Sequence, residues 1–421
     1  MLFDSEFEIK ISIEQFLASM TLLSKEEGFF LLYNGENIIN VYLDPVEVIK
    51  TNSWDDLEQK ILGDDSWVGF ITYEMGLNQT YDKSIAPNDS NMPPSYFQRS
   101  LVEISYDIVK QTLTLASKNF ENIKQRFLLD PNFWIQNKLK PFEVLIKKID
   151  TIECRKLYIQ KTEKILEHIR AGDIYQANIS HRFKFEAQLD PFLFFLELLN
   201  RNPTPYSAFC NITEGTIISA SPELLIKKEK DYLYSRPIKG TRPRGKTFEE
   251  DERNKIELCH SVKELAELVM ITDLMRNDLG KIAKPKTVKV DELFKLETYS
   301  SVHHLVSKIS CTPIENLTSV NILKEVFPGG SITGCPKRRA MEIIYEIEKE
   351  PRGVYTGSIG IFKRGGDFHF NIAIRTCVKE GNNYTLGLGS GIVIDSIPEK
   401  EYEETLHKGK PFFNILGIDI P

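Results

Sequence analysis

The sequence predicts an α+β protein: large antiparallel or mixed β-sheets with helices packed outside them. Three observations carry that reading. Short β-branched or aromatic runs recur through the chain, broken by Gly, Asn and Asp. Fewer, longer stretches repeat apolar residues at helical spacing. No repeat of about 20–50 residues is present, which excludes a solenoid or a propeller.

Residues 1–115 are strand-rich: GFFLLYNGENIINVYL and SWVGFITYEM read as strands, NDSNMPPSY as a loop, and LVEISYDIVKQTLTLAS as a hairpin. From Asn119 to Arg170 the stretches become long and Lys-rich. YIQKTEKILEHIRAGDI carries Ile159, Ile165, Leu166 and Ile169 near helical spacing and stops at Gly172. Strand patterns return in IYQANISHRFKF, TIISASPELLIKK and DYLYSRPI. KELAELVMITDLMRNDLG and PKRRAMEIIYEIEKE are long helix candidates, strands resume from Tyr355 to Asp395, and KEYEETLHKGK is a last helix.

At 421 residues the chain has room for two or three units of roughly 150 residues. Hydrophobic residues make up 41% and charged ones 27%, enough for a sizeable core in a globular protein. The net charge of −7, without a basic block, argues against general nucleic-acid binding. No apolar run approaches the roughly 18 residues of a membrane span, and the acidic start MLFDSEFEIK is not a secretory signal. Six scattered cysteines without a C-x-x-C spacing fit reduced thiols, hence a cytoplasmic setting.

Two glycine-rich segments fail as nucleotide motifs. GGSITGCPK lacks the Gly-Lys-Ser/Thr ending of a phosphate loop. GLGSGIVI is followed by a strand pattern where a dinucleotide fold needs a helix. Such glycines mark a bulge, a tight turn, or a place where a ligand meets bare backbone N–H groups.

Three constellations have chemical content. Glu264 and Glu267 lie three residues apart on one helix face, with Leu265, Leu268, Val269 and Leu274 marking a packed side. Glu401 and Glu404 repeat the device, with Lys408 one turn beyond. Two such faces meeting would offer oxygen ligands to a hard cation such as Mg2+; the alternative is a solvated acidic face with a Glu404–Lys408 ion pair. In SPELLIKKEKDYLYSRPIKGTRPRGK, a hairpin turn at Glu229–Asp231 without a bulge places Glu223 opposite residues 237–239. That brings a carboxylate and Lys239 to one end of a ribbon, the lysine as nucleophile and the carboxyl as proton donor or acceptor; the alternative is a cationic surface hairpin, given Arg236, Arg242, Arg244 and Lys246. His303 and His304 alone read as core or surface histidines, whereas an inward-facing Arg375 needs an anion partner.

Taken in order, SRPIKGT, AELVMITDLMRNDLG, VHHLVS, FPGGSITGCPK, RGVYTGSIG, FNIAIRT and GSGIVIDSIPEKEYEET resemble the motif set of the chorismate-utilising enzymes. The likeness spans about Tyr158 to Lys408 and includes GDIYQANISHRF and NPTPYSAF, while WVGFITYE resembles the family's N-terminal portion. It implies the chorismate-utilising fold, with its sheets packed as a sandwich. Residues 1–118 become a β-rich portion interleaved with the main fold, 119–157 a helical connection, and 158–421 the chorismate-binding catalytic domain. Lys239 in P-I-K-G-T resembles the aminodeoxychorismate synthases, where anthranilate synthases characteristically carry Ala.

The resemblance implies attack by Lys239 on chorismate C2, Glu223 protonating the departing C4 hydroxyl, and ammonia then adding at C4. Glu267 and Glu404 resemble direct Mg2+ ligands, Glu264 and Glu401 water-mediated ones. Gly240, Thr241, Tyr355, Arg375, Gly389, Ser390, Gly391 and Lys408 resemble the carboxylate-holding set; His304 and Thr333 match further active-site positions. Arg242, Arg244 and Lys246 are expected to be solvated. The implied partners are a glutaminase subunit supplying ammonia and an aminodeoxychorismate lyase acting next, towards 4-aminobenzoate and folate. No G-x-C-x-G segment for glutamine hydrolysis is present, and no room for a fused lyase is expected. Leu268, where anthranilate synthases commonly have His, argues against that branch. Leu31-Leu32-Tyr33-Asn34 departs from the Leu-Leu-Glu-Ser signature of tryptophan feedback, although Pro205, Tyr206 and Ser207 could line that pocket. Anthranilate synthesis and a non-catalytic binding or regulatory role are the alternatives.

Overall fold

Every strand pairing among the described residues is antiparallel, so the expected sheets are antiparallel rather than mixed. The computed structural model describes residues 5–61, 63, 65–80, 90–117, 127, 132–135, 137–152, 155–299 and 302–419. Two long strands, Ile38–Lys50 and Ser95–Asp107, organise the strand network. Where they pair as Ile38↔Asp107 through Leu43↔Val102, their neighbours are Phe29–Tyr33 and Thr112–Ser117. After a register shift between Pro45 and Glu47, Ser95–Asp107 instead pairs with Trp67–Ile71. A bulge of this kind lets one strand pass from one sheet to the next.

The first sheet continues through Ala208–Ile212, Gly215–Ser219, Thr376–Glu380 and Asn383–Ile392 to Gln176–Leu189. The second continues through Ser358–Phe362, Phe368–Asn371, Leu224–Glu229 and Tyr232–Arg236 to Val302–Cys311. Ile238–Pro243 and Lys289–Thr298 also pair with this last strand.

Alternation along single strands shows how the layers stack. In Phe29–Tyr33, Phe29 and Leu31 pack with Phe16, Phe192, Phe194 and Phe412, which belong to three helices, Ile13–Leu23, Pro191–Arg201 and Pro398–Leu416. Phe30 and Leu32 point the other way, to Val68, Phe70, Ile359 and Ile361 of the second sheet. That sheet's opposite face meets Met275, Leu279, Leu323 and Met341 from helices Val262–Gly280, Ser319–Val326 and Lys337–Glu348. The molecule is therefore a sheet-on-sheet sandwich with helices outside, as expected.

Two expectations need correction. Residues 119–157 are not uniformly helical. Asn132–Ile135 is one helical turn, and Val144–Ile152 is a strand paired with Gln176–Leu189; residues 118–126, 128–131, 136 and 153–154 lie outside the described residues. Lysines there suit a sheet edge, where they discourage pairing with another chain, and Leu145 and Ile149 are exposed. Val269 is also exposed rather than packed. The helix Arg155–Arg170 and both long later helices form close to their expected limits. None of the described helices is long and apolar enough to cross a membrane.

Arg352 ties the second sheet's approach to the strand Gln176–Leu189. Its buried guanidinium donates to both Glu348 oxygens (2.8 and 2.9 Å), to Ile332 O (2.9 Å) and to Asn178 O (2.6 Å). Glu348 in turn accepts from Ser180 N and Oγ. Removing one member of a buried pair strands the other charge. Arg352→Met should therefore cost about 3–5 kcal/mol in equilibrium denaturation. Adding Glu348→Gln should restore part of that loss; an unchanged midpoint in Arg352→Met would count against this tether.

Candidate functional site

The hairpin expected to join Glu223 to Lys239 forms, with one modification. Glu229↔Tyr232 closes it, Lys230 takes the left-handed conformation at the turn (φ 55°), and a register shift separates Lys227↔Tyr234 from Leu224↔Arg236. The assumption of no bulge is thus wrong, but the slip is small and Glu223 still approaches Pro237. Pro237 ends one strand, and Ile238–Pro243 begins beside it against Val302–Cys311. Gly240 is the extra residue of a second bulge, between Lys239↔Leu305 and Thr241↔His304, at φ 78°. A Cβ there would lie 2.8 Å from Leu258 and 3.3 Å from Glu264, so glycine meets both the conformation and the close approach.

This turn aims Lys239 at the carboxylates. Its Nζ lies 3.5 Å from Glu267 Oε2. Glu223 is buried, its Oε1 has no hydrogen-bond partner among the described residues, and its pKa is pushed up to about 7. Burial is the main cause, opposed by the Ser331 hydroxyl, the Lys239 charge, the Ile238 backbone and Lys408.

Glu264 and Glu267 project from Val262–Gly280 towards Glu401 and Glu404 of Pro398–Leu416. Lys263 links the two helices, 3.9 Å from Glu267 and 3.3 Å from Glu401. The four glutamates are not equivalent. Both oxygens of buried Glu401 are engaged, by Ser390, Ser396 and Lys263. Glu264 lies 3.5 Å from Arg242, and burial followed by repulsion from Glu267 raises its pKa. Glu404 is half exposed. Desolvation pushes its pKa upward, but Lys408, Lys263 and Lys239 together outweigh that and bring it down to about 2. The expected Glu404–Lys408 ion pair is present at 2.8 Å, and Lys408 also donates to Gly389 O (3.0 Å).

The segment GLGSG is neither a turn nor a bulge: Gly387, Gly389 and Gly391 sit in an unbroken ladder opposite Arg182, Ser180 and Asn178. Their spacing of two puts them on one face. A Cβ at Gly387 would fall 2.1 Å from the Tyr355 ring, at Gly389 2.8 Å from the Tyr355 hydroxyl, and at Gly391 3.2 Å from Lys239 Nζ. The strand's pairing with Thr376–Glu380 stops at Leu386, so its second edge is uncovered beside these glycines among the described residues.

The Arg375 carbonyl accepts from Ala220 N, but its guanidinium has no hydrogen-bond or ion-pair partner within the described residues, and burial brings its pKa down to about 10. An inward cation without a counter-charge is a ready anion site. His304 is buried, and desolvation, then Arg375, takes its pKa down to about 3; its Nδ1 is 2.9 Å from Thr241 Oγ1. His303 instead joins Asp251 and Thr298. The hydroxyl of Thr333 is committed to Gly329 O (2.8 Å), and its carbonyl accepts from Asn178 N. Arg242 and Arg244 pair with Glu257 and Asp251, Arg244 and Lys246 being exposed and Arg242 half-buried, while half-buried Arg236 pairs with Glu297.

Among the described residues no three His, Cys, Asp or Glu side chains already enclose a metal position. The donor chemistry nevertheless fits a hard divalent cation. Glu264 is repelled by Glu267 and Glu404, and the countercharge comes from Arg242 at Glu264, Lys239 and Lys263 at Glu267, and Lys408 at Glu404. Lys263 was not singled out from the sequence. Nor were Gln176 and Asn178, which carry unpartnered side-chain atoms beside Gly391 and Gly389. Both lie in GDIYQANISHRF, a segment included in the family likeness, but neither was assigned a role. A cleft of about 450 Å3 beside Arg182 and Arg352 lacks the carboxylate quartet.

A family model described as chorismate binding enzyme matches residues 15–414. Aminodeoxychorismate synthase component 1 of Bacillus subtilis (strain 168) is 38% identical over 352 residues, 81% of this chain and 74% of that protein. An anthranilate synthase component 1 of Haloarcula marismortui is 43% identical over 262 residues, 62% of this chain and 54% of that protein. The crystal structure of anthranilate synthase component I from Streptococcus pneumoniae TIGR4 superposes with a TM-score of 0.75 at 27% identity, covering 91% of each chain.

The Glu223 environment makes a stability prediction whose sign is fixed. Its folded pKa, about 7, exceeds the ordinary carboxylate value of about 4.3, so the folded state holds the extra proton between those values. Glu223 therefore contributes a loss of stability as pH rises through that window. Subtracting denaturation curves of Glu223→Gln from wild type should isolate this loss; identical pH profiles would show that the carboxyl is not shifted upward.

Proposed function

The chain belongs to the chorismate-binding enzymes, and on that premise we propose that it aminates chorismate at C4, giving 4-amino-4-deoxychorismate. The observation that carries this reading is the Lys239 amine at the mouth of the glutamate quartet, 3.5 Å from Glu267 and close enough to influence Glu223. A lysine and a buried, proton-holding carboxyl on one ribbon are a nucleophile and a general acid.

In the proposed route the Lys239 nitrogen bonds to C2, the ring double bonds shift, and the C4–O bond breaks. Glu223 delivers the proton with which that oxygen leaves as water, and the lysine, neutral when it attacks, returns a proton to Glu223 once bonded. Ammonia then bonds to C4, the double bonds shift back, and Lys239 departs from C2 with a proton from Glu223, which regains one from the added nitrogen; the enolpyruvyl group is retained. Arg375, Lys408 and the uncovered edge at Gly389 to Gly391 would hold the substrate carboxylates, with Tyr355 and the Gly240–Thr241 turn shaping the pocket. Neutral His304 supports Thr241 through its hydrogen bond. Crowding by side chains from both sheets would limit the access of water, which competes with ammonia at C4.

Glu267 and Glu404 are the carboxylates best placed to hold Mg2+ directly: Glu267 is partnered by Lys239 and Lys263, and half-exposed Glu404 by Lys408 and the Ser390 hydroxyl. Glu401 and Glu264, already engaged by serines and Arg242, would support it through water. Bound there, the ion would supply charge neutralisation and orientation for a substrate carboxylate.

Ammonia is proposed to come from a glutaminase subunit, and the product to pass to a lyase that completes 4-aminobenzoate for folate. Anthranilate synthesis is the second reading, favoured by the Haloarcula relative; Lys239 and Leu268 weigh against it.

Incubation of the chain with chorismate, Mg2+ and an ammonium salt should give a product that a lyase converts to 4-aminobenzoate. Anthranilate would contradict the reading, and no turnover with any nitrogen donor would favour a non-catalytic role. Glu223→Gln should lower kcat about 10^2–10^4-fold. In wild type the rate should fall as Glu223 loses its proton above about pH 7, and a profile unchanged by the substitution would remove Glu223 from the acid role.

A further inference from the structure

The side-chain amide of Gln176 is fully buried, yet neither Oε1 nor Nε2 has a hydrogen-bond partner among the described residues. Buried amides are normally paired, and leaving one unpaired is costly. Its position explains where a partner can come from. A point one Cβ bond out from Gly391 lies 3.1 Å from Gln176 Nε2 and 3.2 Å from Lys239 Nζ. The amide and the amine therefore border the same bare patch of strand, approaching it from different sheets.

Strand geometry holds the amide there. Gln176 begins the strand Gln176–Leu189 and pairs with Cys335, while Ala177 pairs with both Gly334 and Ile392. Neighbours on both sides thus fix its backbone, and Gly391 has no side chain to fill the space between Gln176 and Lys239. Any larger residue at 391 would separate them. Turning the amide by half a rotation exchanges its oxygen and nitrogen without moving another group.

We infer that Gln176 is a positioning residue for the Lys239 nucleophile, accepting one of its N–H bonds so that the nitrogen lone pair faces the substrate ring. This rests on the amination route proposed above. In the structure the nearest acceptor to Lys239 is Glu267, 3.5 Å away on the helix of the carboxylate quartet. A nitrogen held only from that side points at the carboxylates. An acceptor on the other side, carried by the sheet, defines a second direction and hence the aim of the lone pair. Gln176 acts through Lys239, and its loss should slow the covalent step more than it weakens substrate binding.

The test uses the full chain in ammonium-free buffer containing Mg2+. Chorismate is added, and intact-protein mass follows the gain of chorismate less one water. Binding is measured separately by equilibrium dialysis at low temperature. Gln176→Met, close in shape but without a comparable hydrogen-bond acceptor, should bind chorismate within about threefold of wild type and form the adduct at least tenfold more slowly. Gln176→Leu should behave likewise and serves if the methionine variant does not fold. Adduct formation at the wild-type rate in either folded variant overturns the role, as does a loss of binding that accounts for the whole effect. If wild type gains no mass while still turning over with ammonium, the covalent route itself fails and this role with it. An adduct in wild type that is unaffected in the variants leaves the route standing and removes only Gln176.

Discussion

The site depends on the bare face of one strand. Gly387, Gly389 and Gly391 occupy alternate positions of an otherwise regular ladder, so three successive inward positions carry no side chain. The Tyr355 ring lies where a Cβ of residue 387 would be, its hydroxyl stands over 389, and Lys239 and Gln176 meet over 391. A Cβ at 387 or 389 would approach Tyr355 more closely than real Cβ contacts allow, and one at 391 would press on the ends of the Gln176 and Lys239 side chains. The glycines are thus not conformational hinges here; none of the three has a positive φ. They are the floor of the cavity.

On that floor the fold concentrates charge that a protein interior does not ordinarily tolerate. Five glutamates, three lysines and Arg375 converge from both sheets and from two helices. The pairs formed are uneven: Glu401 is satisfied by hydroxyls and Lys263, and Glu404 by Lys408 and Ser390, while among the described residues one oxygen of Glu223 and the Arg375 guanidinium have no partner. These two unpaired groups have opposite needs. Glu223 relieves its burial by keeping a proton, and Arg375 would relieve its own by receiving an anion. A carboxylate-bearing substrate that must lose a hydroxyl group answers both.

Much of this was legible in the chain. The alternation of short strands, the two long helices and the spacing of the E-x-x-E pairs all correspond to elements that form. The ribbon that joins Glu223 to Lys239 followed from counting back from a turn, with an error of one position where a bulge intervenes. What could not be read was context. Val144–Ile152 looked helical because its lysines are frequent, but lysine is also what a sheet edge requires. The helices Ile13–Leu23, Pro191–Arg201 and Phe248–His260 went unnoticed among strand-like or charged surroundings, although Ser12, Asp190 and Thr247 cap them. Gln176 lies in a segment that resembles the family and Lys263 beside the first glutamate pair, but only the meeting of distant segments gives either its neighbours.

The claim on which the account turns is that the Lys239 nitrogen forms a bond to the substrate. Peptide mapping of the wild-type chain, quenched after exposure to chorismate and Mg2+ without a nitrogen donor, tests it most directly. The account predicts one modified peptide, containing Lys239, carrying the mass of chorismate less water. The same mass on another residue, or its complete absence in a preparation that makes product once ammonium is supplied, would contradict it.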